Sequence, residues 1–321
     1  MADEIINIYI DDMDRGWSAS ESDIKNISAL LNAVRDISGS DQRIRFRIAL
    51  RSDVYYLVRT SDESTDKIER HVVWLHWSNH EILSIIAKRI TTYFGEPLTQ
   101  DEIIGMSQVA ISDRILSRII EPRFRGNGHW SNRPINNVLL SLTRRRPRDL
   151  VKLMHGAARE AYSAHHKIIL SSDLERSFEG YSTERLQDIV NEFKTELPNI
   201  ERLVLGFKPG KRTRTASESY LYATDALVKK LQNIMSGAAL QFKNRKPVTP
   251  KALIQFLYKI DFITARKDFP DGIDRRTFDQ SRFLASEVAD FGYNWELHPA
   301  YRWALQPQDV NKLLNDIFPD K

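Results

Sequence analysis

Two adjacent carboxylates follow the first apolar run of the sequence. Ile5 to Ile10 form a short, mainly apolar run that predicts a buried strand, and Asp11 and Asp12 come directly after it. Such a strand would place both carboxylates at the carboxyl edge of a sheet, where α/β folds bind their ligands. One carboxylate there can hold Mg²⁺, usually through water, while its neighbour orients or deprotonates a water that attacks a phosphate. The alternative is a strand that simply ends in an acidic turn.

The segments that follow predict an α/β layer around these carboxylates. Apolar residues recur at helical spacing over 24–34, and residues 44–50 predict a second strand. That strand is apolar on one face and carries three arginines at alternate positions on the other, Arg43, Arg45 and Arg47. A strand covered on both faces would not carry this charge. The pattern favours an edge strand, or arginines that are paired with other groups.

The sequence then becomes mainly helical. The polar segment 54–70 predicts a partial loop, and 72–77 predicts a third short strand. Two pairs of residues have the spacing of capping boxes that open helices, Ser78 with Glu81 and Thr99 with Glu102. We therefore expect a small sheet followed by a helical region.

The C-terminal half contains a regular helix and then an order of elements typical of a winged helix. Pro147 precedes a helix predicted over 149–164, because proline is tolerated in a first helical turn. Six residues of that helix are expected to face inward, Leu150, Leu153, Met154, Ala157, Ala158 and Ala161. Farther along, a helix over 249–262 precedes a turn-rich stretch at 270–272 and a short strand at 293–297. Helices that lead into a strand, a basic hairpin and a return strand are the order of a winged-helix module.

The string Asp11-Asp12-Met13-Asp14-Arg15, placed after an apolar strand, resembles the Walker B region of STAND and KAP type P-loop ATPases, an AAA+-like group with bacterial members. Four further segments are similar to parts of this family in the same order along the chain, at 46–54, 73–78, 144–150 and 295–302. The first and fourth of the five motifs are the specific ones. The resemblance implies that Asp11 holds Mg²⁺ and that Asp12 acts on the attacking water.

The same resemblance implies roles for four further residues. Arg51 and Ser52 would occupy the family's sensor position after the second strand. Arg148, or Arg146 in its place, would reach the γ-phosphate of ATP from the entry of the lid helix, since the planar guanidinium binds phosphate oxygens in a bidentate way. Without the Asp-Asp strand, this arginine cluster would predict only a basic helix entry.

The resemblance also implies a mixed α/β, mainly helical fold in three parts. Residues 1–95 would form a partial P-loop ATPase sheet, with its Walker B and sensor strands. Residues 96–170 would form a helical lid, and 171–321 a helical region with a winged-helix-like module. In related families this arrangement is a nucleotide-dependent switch, often in phage defence or DNA transactions. ATP and Mg²⁺ are the cofactors of a complete site.

The phosphate-binding loop of such ATPases is missing from the sequence. That loop is Gly-x-x-x-x-Gly-Lys-Ser/Thr, because backbone N–H groups surround the phosphates while the lysine neutralises them. In the family it lies far upstream of the Asp-Asp strand, but only seven residues precede Ile8, and none is Gly or Lys. Residues 206–212 match poorly, because three residues separate the glycines, Arg212 replaces Ser or Thr, and Pro209 has no N–H. We expect no ATP hydrolysis by this chain alone, unless a partner segment or subunit supplies the Walker A loop.

A second hypothesis rests on basic loops. Residues 206–214 contain four basic side chains and no acid, Lys208, Lys211, Arg212 and Arg214. Together with a winged helix they could bind the phosphates of a nucleic acid, and the aspartates would then be relics of an ATPase. A solvated basic loop is the alternative, and the helical half could instead serve as a protein-interaction surface.

The composition excludes several classes of site. The chain has 321 residues and no cysteine, which excludes disulfides, thiolate metal sites and cysteine nucleophiles and fits a cytoplasmic protein. No apolar run reaches the ~18 residues of a membrane span, so no membrane partner is expected. The eight histidines are not spaced as a metal site. The partners that fit are a nucleotide-binding segment or subunit, a nucleic acid, and further copies of the chain.

Overall fold

The computed structural model describes residues 4–61, 63–126, 130–209, 220–269, 272–281, 284 and 292–305, and within them the fold is mixed α/β and mainly helical. The described residues contain eleven α-helices: α1 (Glu21–Ser40), α2 (Ser52–Ser61), α3 (Asn79–Tyr93), α4 (Gln100–Ile104), α5 (Gln108–Arg114), α6 (Ile135–Ser141), α7 (Pro147–Ser163), α8 (Ser171–Phe193), α9 (Ile200–Leu205), α10 (Thr224–Gly237) and α11 (Pro250–Lys259). Short 3-10 helices occur at Glu63–His71, Leu116–Arg118, Pro299–Tyr301 and Trp303–Leu305. The strands are β1 (Ile6–Ile10), β2 (Ile44–Ile48), β3 (Leu221–Tyr222), β4 (Ile263–Phe269), β5 (Gly272–Arg276) and β6 (Asn294–Leu297).

Strands β1 and β2 form a parallel two-stranded sheet joined by helix α1. One face turns toward a core formed by α1 and α2, against which Ile48 packs. The other face is open, with Tyr9 77% exposed and Arg45 and Arg47 also exposed. Both strands are edges among the described residues, which accounts for the charged face, and Arg43 forms an ion pair with Asp41 at 2.7 Å.

The segment predicted as a partial loop is helical. Helix α2 and the 3-10 helix that follows it cover most of 52–71. The prediction fails because three apolar residues of α2 are spaced to bury one face of a helix in the first core, Val54, Tyr55 and Val58. The helical spacing of these three residues is hard to recognise in the sequence, because many of their neighbours are polar.

The strand predicted at 72–77 is also wrong, since these residues form no ladder with any described strand. The side chains nevertheless alternate. Val72 and Trp74 pack against the first core, whereas Val73 and Leu75 are 79% and 84% exposed. The segment has the alternation of a strand without a neighbouring strand to pair with in the described part of the chain.

Helices α3 to α8 pack around a second core. Both predicted capping boxes are present, because the hydroxyls of Ser78 and Thr99 accept the backbone N–H groups of Glu81 and Glu102. Helix α7 has Pro147 in its first turn, as predicted, and it buries five of the six residues expected inside, Leu150, Leu153, Met154, Ala157 and Ala161. The sixth, Ala158, is exposed, because it lies on the far side of the helix.

The C-terminal part contains an antiparallel sheet in the order β3-β6-β4-β5. Helices α10 and α11 lie between β3 and β4 in the chain, and β4 pairs with β5 as a hairpin. The turn predicted at 270–272 includes residues 270 and 271, which lie outside the described part of the structure. Trp295 of β6 is fully buried, and its indole N–H donates to Thr224 Oγ1 at 3.1 Å.

The last described segment joins the second core to a third, C-terminal core. Ala300 belongs to the second core and Tyr301 to the third. Nearby, the ring of Trp303 lies 4.5 Å from that of Phe178 and 5.6 Å from that of Trp130. Helix α8 supplies residues to both cores, while α3 packs in the second. None of the described helices combines the length and the apolar character needed to cross a membrane.

Candidate functional site

Asp11 and Asp12 follow β1 at the carboxyl end of the parallel sheet. Both side chains are exposed, and Asp11 Oδ1 accepts the backbone N–H of Asp12 at 2.8 Å. Asp12 has a φ of 59°, in the left-handed region, which costs most residues about 1 kcal/mol and is tolerated by Asp. The chain thus turns sharply after the strand and leaves two adjacent carboxylates open to solvent.

Arg51 follows β2 at the same edge of the sheet. Its guanidinium donates to Asp53 at 2.7 and 3.0 Å, and its Nε lies 3.5 Å from Asp14 Oδ2. Burial raises the pKa of Asp14, and Arg51 offsets only part of that effect. Burial also acts on Asp53, but the hydrogen bonds and charge of Arg51 outweigh it and lower the pKa of that carboxyl. Arg51 therefore joins the loop after β1 to the start of α2.

Glu192, at the end of α8, connects this sheet edge to the entry of α7. Its Oε1 lies 3.7 Å from Arg51 Nε, and its Oε2 lies 3.5 Å from Arg146 Nη1. Two arginines that the sequence assigns to a nucleotide therefore meet at one carboxylate. Ser52 has a different contact, since its hydroxyl donates to Asp279 Oδ1 at 3.1 Å.

A buried ion cluster fixes the entry of α7. Asp149 accepts hydrogen bonds from Arg144 at 2.9 and 3.1 Å and from Arg185 at 2.8 Å, and the three side chains are at most 2% exposed. Burial alone would raise the pKa of Asp149, but the two guanidinium groups hold it well below its ordinary value. Arg144 also donates to the Tyr301 hydroxyl at 3.2 Å. The cluster ties the lid to the C-terminal segment.

A cleft of about 350 Å³ opens beside this cluster, between the N-terminus of α7 and the C-terminal half of α8. It is lined by four arginines and four other polar residues, Arg144, Arg146, Arg148, Arg185, Asp149, Asp188, Asn191 and Glu192. Arg146 and Arg148 are exposed, and Arg148 has no ion-pair partner among the described residues. The Nε of buried Arg185 likewise has no hydrogen-bond partner there. Together with the positive end of the 17-residue helix α7, these groups favour an anion.

Asp261 lies in the turn between α11 and β4, with a φ of 55°. Its Oδ1 is buried and has no hydrogen-bond partner among the described residues. Burial raises the pKa of Asp261 to about 7, and the positive charge of Arg146 lowers it only in part. A carboxyl that changes charge near neutral pH beside an arginine-lined cleft is a candidate functional group.

The carboxylates after β1 fit part of a magnesium site. Mg²⁺ is commonly held by one or two carboxylates, with waters and substrate phosphates completing its six ligands. Asp11 and Asp12 supply two exposed carboxylates of this kind. Within the described ranges, no group of three or more His, Asp or Glu side chains could hold a metal ion. Two exposed carboxylates alone can supply only part of the six ligands of Mg²⁺.

The predicted nucleic-acid residues are described only in part. Lys208 is exposed just after α9. Lys211, Arg212 and Arg214 lie outside the described residues. The structure therefore places one of these four side chains on the surface.

Three residues of this region are absent from the sequence-based prediction, Glu192, Arg185 and Asp261. Arg185 and Glu192 lie seven residues apart on α8, a spacing that puts them on one face and could have marked a polar stripe toward α7. Arg185 also pairs with its neighbour Asp188 at 3.0 Å, but the partners of Arg185 and Glu192 near α7 lie 36 and 46 positions away, so no local pattern links them to that helix. Asp261 follows a helix end and gives no signal in the sequence.

Comparison with known proteins finds one family and two relatives. Residues 80–190 match the family described as the FunZ-associated C-terminal helical domain. This match begins in α3 and ends in α8, so it spans most of the second core and six of the eight residues that line the α7–α8 cleft, and it stops before Asn191 and Glu192. No solved structure matches the chain significantly.

The two relatives are distant in sequence. The "Putative transposon gamma-delta 80.3 kDa protein" of Escherichia coli (strain K12) is 23% identical over 337 residues, which cover 99% of this chain and 43% of that protein. "Allergen Alt a 2" of Alternaria alternata is 25% identical over 152 residues, which cover 47% of this chain and 71% of the allergen. The chain therefore spans less than half the length of the transposon relative.

Proposed function

We propose that the chain is the metal- and lid-bearing portion of a P-loop ATPase that works as a nucleotide-dependent switch. Asp11 would hold Mg²⁺ and Asp12 would orient the attacking water. Arg146 and Arg148 would meet the phosphates from the entry of α7. The chain would not hydrolyse ATP alone, because it has no glycine-rich loop to surround the phosphates.

One observation carries this proposal. A continuous series of contacts leads from the acidic turn after β1 to the lid, through Asp14, Arg51, Glu192 and Arg146, with separations of 3.5 to 3.7 Å. Side chains from β1, β2, α7 and α8 thus converge beside an arginine-lined cleft. A phosphate bound there would contact both the sheet edge and the lid, as a nucleotide switch requires.

Two further observations support an incomplete sheet. A parallel sheet is normally covered on both faces, yet the face of β1 and β2 that carries Tyr9 and Arg47 is exposed. The transposon relative also extends well beyond the part that this chain matches. A separate segment with the Walker A strand would cover such a sheet and supply the missing loop.

Isothermal titration with Mg-ATP tests the proposal. The isolated chain should bind Mg-ATP weakly or not at all, and a polypeptide with Gly-x-x-x-x-Gly-Lys-Ser/Thr, encoded beside this chain in its genome, should restore binding when added. Asp11→Asn should abolish the restored Mg²⁺ dependence, whereas Asp101→Asn, an exposed aspartate of α4, should not. Tight binding by the isolated chain, or restored binding that ignores Asp11, would refute the proposal.

A second candidate is a nucleic-acid-binding adaptor, and the strand order β3-β6-β4 favours it. That order, with α10 and α11 between β3 and β4, is the one expected of a winged helix with an added strand. Helix α11 is poorly suited to read bases in the major groove. Most of its residues from Leu253 to Tyr258 are buried, so it offers few polar side chains to base edges. Binding would therefore depend on phosphate contacts by the basic loops and would weaken steeply with salt.

Duplex binding at several salt concentrations separates the two functions. If the adaptor is correct, reversing the charges of Lys208, Lys211, Arg212 and Arg214 should weaken binding and flatten its dependence on salt. Undetectable binding at low salt would remove this candidate and leave the ATPase proposal unaffected.

A further inference from the structure

Glu192 holds together two arginines from different parts of the fold. Arg51 follows strand β2 of the sheet, and Arg146 is the residue before helix α7 of the lid. Glu192 uses one oxygen for each, at 3.7 and 3.5 Å. Among the described ion pairs, no other carboxylate links the sheet edge to the entry of α7.

The contacts of Glu192 are looser than those of its neighbours. Charge-assisted hydrogen bonds between nitrogen and carboxylate oxygen are normally 2.7 to 2.9 Å long, and Arg51 holds Asp53 at 2.7 Å. Both contacts of Glu192 exceed this range by more than half an ångström. The Glu192 side chain is also 26% exposed, at the end of its helix, so it can swing into solvent. Its carboxylate is therefore held less firmly than that of Asp53, and a competing anion displaces it more easily.

The groups around Glu192 suit a phosphate better than a single carboxylate. Arg148 has no ion-pair partner among the described residues, and the Nε of Arg185 has no hydrogen-bond partner there. A phosphate chain offers more oxygens and more negative charge than Glu192, and it can accept from several guanidinium groups at once. The nearby acids Asp149 and Asp188 are paired with Arg185 at 2.8 and 3.0 Å, and Asp53 is held by Arg51 at 2.7 Å in a partly buried pair.

We propose that Glu192 is an internal stand-in for a phosphate group. In the ligand-free chain it neutralises Arg51 and Arg146 and keeps the lid next to the sheet. A polyphosphate displaces the carboxylate and forms ion pairs with both guanidinium groups. Binding at the sheet edge is thereby coupled to the position of α7. This inference rests on the proposed function. It adds that the Glu192 carboxylate competes with phosphate and so lowers the affinity of the chain for phosphate.

Titration with inorganic triphosphate at low ionic strength tests the exchange. Glu192→Gln keeps the size of the side chain and removes its charge, so it should raise the affinity about tenfold, within the usual range of couplings between sites. Glu179→Gln is the matched control, because Glu179 is an exposed residue of the same helix with no described ion pair. Affinity that is unchanged or lowered in Glu192→Gln would overturn the inference.

A distance measurement separates an exchangeable carboxylate from a merely structural ion pair. The chain has no cysteine, so Ala33→Cys in α1 and Ala158→Cys in α7, both exposed, give unique positions for spin labels. In Glu192→Gln the two arginines repel each other, and the label distances should lengthen or broaden. Triphosphate should restore them. Distances that widen but are not restored would contradict the exchange.

The outcomes also separate this inference from the proposed function. If Glu192→Gln leaves triphosphate affinity unchanged while Asp11→Asn abolishes the Mg²⁺ dependence of the restored ATP binding, only the role of Glu192 is wrong. If Glu192→Gln tightens triphosphate binding and Asp11 has no effect on Mg-ATP, the cleft binds phosphate but the ATPase proposal falls.

Discussion

Arg185 donates to Asp149 at 2.8 Å, and both side chains are 1% exposed. The pair connects α7 with α8, next to the cleft that we propose binds phosphate. Because a buried carboxylate that loses a partner keeps most of its desolvation cost, the pair determines both the stability of this helix pair and the direction of Arg144.

Arg185→Ala should lower the free energy of unfolding by about 3 to 5 kcal/mol, since it leaves Asp149 underpaired and opens a cavity. Urea unfolding followed by circular dichroism measures the change. Arg159→Ala is the control, because Arg159 is an exposed arginine of α7, and its loss should cost less than about 0.5 kcal/mol. Equal costs for the two variants would contradict a structural role for the cluster.

Asp12→Ala should cost about 1 kcal/mol, because alanine disfavours the left-handed backbone that Asp12 adopts. Asp12→Gly should restore the loss, since glycine adopts this conformation freely. Asp11→Ala removes the neighbouring carboxylate without that backbone conflict and should stay within about 0.5 kcal/mol. If Asp11→Ala and Asp12→Ala cost the same in thermal or urea unfolding, the turn after β1 is not as the structure has it.

Asp261→Asn should stabilise the protein at high pH only. The pKa of Asp261 is raised by burial to about 7, against an ordinary value of 3.8. Between these values the folded state keeps a proton that the unfolded state releases, so stability falls as pH rises from about 4 to 7. Asparagine also suits the backbone at this position.

The gain in Asp261→Asn should reach about 1 to 3 kcal/mol at pH 8 and vanish near pH 4. Urea unfolding at several pH values measures it. Asp113→Asn, in which an exposed aspartate of α5 is changed, should show no such dependence. A gain of equal size at both ends of the range would argue against titration of Asp261.

Trp303→Ala should destabilise the chain by about 2 to 4 kcal/mol, because the ring packs against Phe178 and Trp130 where the C-terminal segment meets the lid. Trp77→Ala makes the same change at a tryptophan that is 42% exposed and should cost far less. If the two variants lose similar amounts of stability, the packing of Trp303 against Phe178 and Trp130 contributes little to holding the C-terminal segment.

The sequence predicted the elements whose signals are local. Both capping boxes, the first turn of α7 with Pro147, and the extended conformation before Asp11 follow from residues within a few positions of one another. The burial predicted for that strand was wrong, since Ile5 and Ile6 are 49% and 54% exposed. The mixed, mainly helical class also agrees with the structure. Such features depend on spacing within one element, which a single sequence displays.

The features that were missed depend on partners distant in the chain. The segment 72–77 has the alternation of a strand but forms no ladder in the described part of the fold, so spacing alone gave the wrong answer. Arg144 and Arg146 look alike in the sequence, yet one is locked to Asp149 and the other reaches Glu192. Asp149 is close to both arginines in the chain, and which of them it holds is decided by packing against Arg185 and Glu192 of α8, which lie far away in the sequence.

The open pair of strands at the start of the chain has a consequence for its lifetime in a cell. Two parallel strands that pair with no further strand in the described part of the chain have few contacts to resist local opening, whereas helices α3 to α8 share a large core. Proteases should therefore cut the chain first near these two strands. A molecule that covered the pair would lengthen the lifetime of the chain.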